Sequence, residues 1–185
     1  MTASSRAHVS FAEYLEAEAA AEQKHEWCNG VVYAMSRGTP EHGRLCGRIT
    51  LAIGRVLAAD CDVYNSDTMV HIADATLSTY ADLSVIRGPR ETIVVKKHGK
   101  SLGEAITNPV IVVEVLSEAT ERYDRDGRFV AYRQLASLEE YVLVAQDEPR
   151  IEVFRRAQNW QGESAGTDEN IAIHGGQVSV DDVYR

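Results

Sequence analysis

A glutamate inside a run of branched aliphatic residues is the first feature of the sequence that carries chemistry. Pro109 to Ser117 reads Pro-Val-Ile-Val-Val-Glu-Val-Leu-Ser, and six of these nine residues are Val, Ile or Leu. A run so continuous has no wet face and reads as a central strand covered on both sides. Taking an unpaired carboxylate out of water costs several kcal/mol or more, so Glu114 requires a cation, a hydrogen-bonding shell or a water-filled cleft beside it. Asp82 stands near the start of another apolar stretch, Tyr80 to Ile86. If the two strands are neighbours, the two carboxylates converge, which is the minimum for holding Mg2+ or Mn2+ by oxygen ligands. Such an ion polarises a phosphoryl oxygen and lowers the pKa of a bound water. Arg128, on the segment that follows, can supply a cation for the charge that develops. The same spacing also fits a buried carboxylate paired with a structural arginine.

Positioning these groups is the task of the remaining elements. Ser10 and Glu13 have capping-box spacing for a helix running to about Gln23. Lys24 to Met35 reads as a hairpin, with Asn29-Gly30 as a type I′ turn. Thr39 and Pro40 open a second helix, and Leu45, Ile49, Ile53, Val56 and Leu57 recur at helical spacing to about Ala59. Short strands are expected at Cys61 to Tyr64, Met69 to Ile72, Tyr80 to Ile86, Tyr141 to Ala145, Ile151 to Phe154 and Val178 to Val180. Arg87 to Gly103, rich in glycine and basic residues, reads as a loop or hairpin with a short strand at Thr92 to Val95. Tyr123 to Leu135 carries Phe129, Tyr132 and Leu135 on one helical face, and Gln158 to Gly176 is polar throughout.

Composition sets the outer limits. With 185 residues, 44% of them hydrophobic and 25% charged, residues 1–185 suit a single α/β domain with a substantial core. No apolar run is long enough to span a bilayer, and Met1 to Ser10 lacks the apolar centre of a secretion signal, so a cytoplasmic protein is expected. Cys28, Cys46 and Cys61 show no C-x-x-C spacing and read as reduced, structural thiols. A net charge of −9 argues against indiscriminate coating of nucleic acid. Basic residues nevertheless gather around Arg37 to Arg48, Arg87 to Lys100 and Arg122 to Arg133, as a basic cleft or as solvated faces. Gly38 to Arg44 has P-loop glycine spacing but lacks the Lys-Ser/Thr pair, and His42, near a helix start, reads either as a phosphate contact or as a solvated or hydrogen-bonded histidine.

The residues that carry chemistry also carry a family likeness. Tyr80-Ala81-Asp82-Leu83-Ser84-Val85, Thr107 to Ser117, Tyr123-Asp124-Arg125 with Phe129 to Arg133, and Glu140 to Val144 resemble the Uma-two family. His25 to Gly30 and His42-Gly43 extend the likeness over nearly the whole chain. Its members are restriction-endonuclease-like proteins of the P-D…(D/E)-x-K nuclease superfamily. The resemblance implies a mixed central β-sheet flanked by helices on both faces, with Asp82 and Glu114 as metal ligands and the main-chain carbonyl of Val115 as a third. It implies Arg128 at the place of a lysine that many members bring from the next helix, because Leu116 occupies the superfamily's own lysine position. Glu26 matches an acidic position of the family, where it joins the metal shell, holds a water or stays a solvated strand residue. Ala81 stands where the family often has proline. The expected function is Mg2+- or Mn2+-dependent hydrolysis of DNA phosphodiester bonds by a homodimer. The alternatives are a catalytically silent nuclease fold that binds nucleic acid or a protein partner, favoured by Arg128, and a hydrolase of small phosphorylated compounds.

Overall fold

A computed structural model describes residues 8–185; residues 1–7, which include most of the N-terminal stretch discussed above, lie outside the described residues. Helix α1 (Phe11–Glu18) begins with the expected box. The backbone N–H of Ser10 donates to Glu13 Oε2 at 2.8 Å, and that of Glu13 donates to Ser10 Oγ at 3.3 Å. The helix stops short of Gln23, and the Glu18 carboxylate accepts the backbone N–H of His25 at 2.9 Å, drawing the chain back into β1 (His25–Cys28). Asn29 and Gly30, with φ of 48° and 79°, turn the chain into β2 (Val31–Ala34). Both φ values are positive, the requirement of a type I′ turn.

Helix α2 (Pro40–Gly54) is capped by Thr39, whose Oγ1 accepts the His42 backbone N–H at 3.1 Å. Its buried stripe of Leu45, Ile49, Ala52 and Ile53 follows the expected spacing. The helix ends at Gly54, before the expected Ala59, where Val56 and Leu57 both donate back to the Ile53 carbonyl.

Twelve further strands follow: β3 (Cys61–Asn65), β4 (Val70–Ile72), β5 (Leu77–Thr79), β6 (Leu83–Arg87), β7 (Thr92–Lys97), β8 (Lys100–Ile106), β9 (Ile111–Val115), β10 (Glu140–Val144), β11 (Ile151–Arg155), β12 (Gly162–Ala165), β13 (Asn170–Ile173) and β14 (Gly176–Ser179). One six-stranded sheet has the order β2-β1-β5-β4-β8-β7 and the other β12-β11-β10-β9-β6-β3, with β13 and β14 as a separate hairpin. The stretch Tyr80 to Ile86 is not one strand: the chain leaves the first sheet after Thr79 and enters the second at Leu83, so Asp82 sits at the crossing. Arg87 to Gly103 is mainly the β7–β8 hairpin, and the polar Gln158 to Gly176 contains β12 and β13.

Strand β9 is the middle of the second sheet, antiparallel to β6 and parallel to β10. Its side chains alternate between two cores, as a pleated strand must. Ile111, Val113 and Val115 join the cluster of Leu45, Ile49, Ile53, Val180 and Val183, so α2 and α5 (Val180–Tyr184) cover that face. Val112 and Leu116 join Tyr132, Tyr141 and Leu143 on the other face, together with Val70, Ile72, Leu77 and Ile106 of the first sheet. Glu114 lies between Val112 and Leu116 and so points into this second core. The helical segment above it is α3 (Glu121–Tyr123), a π-helical turn at Asp124–Arg128 and α4 (Phe129–Tyr132), shorter and wider-wound than an α-helix from Tyr123 to Leu135. Among the described residues, no helix is long and apolar enough to cross a membrane.

Candidate active site

Asp82 and Glu114 meet where β6 begins and β9 ends. Leu83 pairs with Val113, so Asp82 falls opposite Glu114 by register. The Asp82 backbone N–H donates to Glu114 Oε2 at 3.4 Å, and Asp82 Oδ2 accepts the Val115 backbone N–H at 2.8 Å. A strand residue presents its N–H and C=O to the same edge, so the Val115 carbonyl faces the side on which Asp82 lies.

Glu114 is buried, with its Oε1 enclosed by partners. Its Oε1 accepts from Tyr132 Oη at 3.0 Å and lies 3.5 Å from Arg128 Nη1. Arg128 itself is buried, with its guanidinium spread over three carboxylates: Nη2 is 3.0 Å from Glu26 Oε2, Nη1 is 3.0 Å from Asp124 Oδ1, and Glu114 is the third. Glu26 reaches this cluster from β1 in the other sheet. Far from being solvated, it is buried and accepts from Thr79 Oγ1 at 2.7 Å and Tyr123 Oη at 2.6 Å. On the opposite side of Asp82, His42 Nε2 stands 3.2 Å from Oδ2, and His42 Nδ1 is 3.5 Å from Cys46 Sγ.

The electrostatics follow from burial and from a shortage of positive charge. Burial drives the Glu114 carboxyl well above the ordinary carboxylate range, offset in part by Arg128 and reinforced by Asp82 and Asp124. Asp124 is raised for the same first reason, again against Arg128. The hydrogen bond to Asp82, then that to Cys46, pushes His42 up to about 10, which makes it a cation at neutral pH. Burial opposes charge on Arg128 as well, but Glu114, Tyr132, Glu26 and Asp124 outweigh it and hold the guanidinium charged.

All of the residues singled out in the sequence lie together here: Asp82, Glu114, Val115, Arg128 and Glu26. Sequence reasoning did not find Asp124, Tyr123, Tyr132 or Cys46 as members, and it read His42 as a phosphate contact or a solvated residue without linking it to Asp82. For Asp124 and Tyr132 a signal existed, because Asp124, Arg128 and Tyr132 are spaced by four and therefore share one side of a helical segment. His42 and Cys46 have the same spacing on α2.

Comparison with known proteins identifies the family and the fold. A family model described as "Putative restriction endonuclease" matches residues 11–176. The chain belongs to the Uma2 (Uma-two) family. It is 34% identical over 181 residues to the uncharacterized Synechocystis protein slr1290, covering 94% of this chain and 90% of that protein. It is 28% identical over 158 residues to a second Synechocystis protein, sll1609, covering 83% and 84%. In fold it is similar to a crystal structure from Anabaena variabilis, titled a "putative nuclease belonging to DUF820". The TM-score is 0.65 and the identity 16%, over 89% of this chain and 91% of that one. That neighbour supports the mixed α/β, nuclease-like architecture of this Uma2 chain.

Proposed function

We propose that this Uma2 protein is a divalent-metal-dependent nuclease that hydrolyses DNA phosphodiester bonds at Asp82 and Glu114. One observation carries the reading: four carboxylates, from Glu26, Asp82, Glu114 and Asp124, converge on two cations, Arg128 and His42. The surplus of negative charge, held in a largely buried place, matches a hard divalent ion such as Mg2+ or Mn2+. Asp82, Glu114 and the Val115 carbonyl would hold it. When bound, the ion supplies a polarised phosphoryl oxygen and a water of lowered pKa.

The chain's own residues do the positioning. The Val115 N–H and His42 fix the orientation of the Asp82 carboxylate. Tyr132 and Arg128 fix Glu114 Oε1 and leave Oε2 with one long backbone contact, so it is the oxygen free to bind an ion. Arg128 acts through Glu26 and Glu114 rather than by touching substrate, since its side chain is only 9% exposed. The His42 imidazolium, half-buried beside Asp82, puts a positive charge near the phosphate position.

A specific observation favours the second reading, a silent nuclease fold that binds nucleic acid or a protein. Arg128 is saturated by three carboxylates, and the ion pairs of Asp82 and Glu114 among the described residues include no lysine. Plasmid cleavage in Mg2+ or Mn2+, beside a filter-binding titration against salt, separates the two. Cleavage by wild type, and its loss by at least about a hundredfold in Asp82→Asn and Glu114→Gln, is the expected result, because Lewis-acid stabilisation contributes several kcal/mol. Salt-sensitive binding without cleavage in either metal would overturn the nuclease reading.

A further inference from the structure

The carboxylate centre has a second set of potential metal ligands on its other flank. His42 and Cys46 stand one turn apart on α2, which places both side chains on the same face. That face meets Asp82. One ligand atom from each of His42, Cys46 and Asp82 can be chosen so that all three lie within 4.8 Å of one another. We propose that His42, Cys46 and Asp82 form a Zn2+ site that, by capturing Asp82, turns off the divalent-metal chemistry proposed above; the inhibitory part rests on that reading.

The donor set determines which ion fits. Mg2+ takes oxygen ligands and has no use for a thiolate, whereas Zn2+ readily accepts sulfur, imidazole nitrogen and carboxylate oxygen together. Three protein ligands leave a fourth position for water, which is the usual arrangement of an open zinc site. Zinc–ligand bonds of about 2.0 to 2.3 Å put neighbouring ligand atoms of a tetrahedron roughly 3.3 to 3.6 Å apart. The two contacts now present, 3.2 Å from His42 to Asp82 and 3.5 Å from His42 to Cys46, already have that scale. They use different ring nitrogens, so closing the site requires the imidazole to turn until one nitrogen faces both partners.

The site is also held in place. Leu45, Ile49 and Ile53 anchor α2 in the core, and Thr39 caps its first turn. Asp82 is fixed by the Val115 N–H. Gly38 lies under the His42 ring, where an added Cβ would come within 2.8 Å of Nδ1. The side chains of His42 and Asp82 are 19% and 17% exposed, so an ion can enter from solvent. Coordination displaces two protons into solvent, the thiol proton of Cys46 and one ring proton of the His42 imidazolium.

Co2+ in place of Zn2+ provides a direct probe, because thiolate bound to Co2+ gives a charge-transfer band in the near ultraviolet. With the full chain, one equivalent of Co2+ is expected to produce that band, Zn2+ to abolish it, and Cys46→Ala to lack it although Cys28 and Cys61 remain. In parallel, Zn2+ is expected to inhibit Mg2+-dependent cleavage by wild type. Cys46→Ala, its inhibition read as a fraction of its own Mg2+-dependent rate, is expected to need at least about ten times more Zn2+, since even partners that only orient a ligand are worth tenfold or more in affinity. A band that persists in Cys46→Ala, or cleavage with no band in wild type, would overturn the site. Equal Zn2+ inhibition of wild type and Cys46→Ala would overturn the switch. A band dependent on Cys46 in a protein that cuts no DNA would leave the zinc site standing and remove the nuclease reading.

Discussion

Arg128 decides whether the buried carboxylates can coexist. Its guanidinium is within 3.5 Å of Glu26, Glu114 and Asp124, and no other cation is paired with these three among the described residues. Removing one partner of a buried ion pair costs about 3 to 5 kcal/mol, because the remaining charge is stranded. Arg128→Ala is therefore expected to lose that much in urea denaturation. Arg128→Lys is expected to recover only part of it, since an ammonium cannot span three carboxylates as a planar fork does; an unchanged midpoint in Arg128→Ala would refute this role. Glu114 was legible in the sequence because a carboxylate conflicts with an apolar strand, and Asp82 because of its place near the start of another. Cys46 was not, because a cysteine among apolar residues looks like core until its distance to His42 is known. His71 gives a pH test away from the site. It is buried, its ring bonded to Ser78 Oγ at 2.7 Å, and burial lowers its pKa below the ordinary 6.5. Below about pH 6.5 the unfolded chain takes up a proton that folded His71 refuses, so stability falls as pH falls through that value and down to the lowered pKa. His71→Gln is expected to flatten the slope of melting temperature against pH between about 6.5 and 5. An identical slope in wild type and variant would contradict it.

Among the elements, the π-helical turn at Asp124–Arg128 has the most consequence for the site. Its wider winding sets Asp124 and Arg128 over Glu114 while Tyr123 reaches Glu26. Such turns are frequent at functional sites. Gly127 leaves room for the Tyr123 side chain beside this turn: a Cβ there would lie 2.6 Å from the Tyr123 ring. Gly→Ala in a helix ordinarily stabilises by up to about 1 kcal/mol. Here Gly127→Ala is expected to give no gain, and to lower the melting temperature if displacing Tyr123 breaks its bond to Glu26. A gain of about 1 kcal/mol in denaturant would show that the turn tolerates a side chain. Long apolar or strongly periodic elements were legible, among them α2, β9 and β10. The hairpins β7–β8 and β13–β14 were not fully read, although His98-Gly99 and His174-Gly175 turn with the same positive φ pair as Asn29-Gly30. Their strands mix polar and apolar residues without clean alternation, as in Thr92–Lys97 and Lys100–Ile106, so periodicity was weak and only the Xaa-Gly signal remained. The π turn left no mark in the sequence, since spacing by four suits an α-helix equally well.

At the scale of the whole molecule, charge and symmetry set the expectations for DNA. The basic neighbourhoods are substantially occupied by ion pairs: Arg44 with Glu41, Arg87 with Glu139, Lys97 with Glu16, and Arg125 with Glu121 and Glu152. With a net charge of −9, binding to DNA is expected to be modest in affinity and to weaken further with salt. Cutting both strands of a duplex is most simply done by two sites related by a two-fold axis, so a homodimer is expected. Light scattering at micromolar concentration is expected to give twice the chain mass, and a monomer would contradict it. Topology was only partly legible, because a strand's partner in a sheet depends on contacts distant in sequence: one apolar run, Tyr80 to Ile86, proved to cross between two sheets. That crossing places Asp82 beside Glu114, and the proposed chemistry depends on what these two carboxylates hold. The most direct measurement is anomalous scattering from a crystal soaked in Mn2+. A peak bonded to the carboxylates of both Asp82 and Glu114 is expected, and its absence in a crystal of Glu114→Gln. Ordered Mn2+ elsewhere with nothing between these two residues would contradict it.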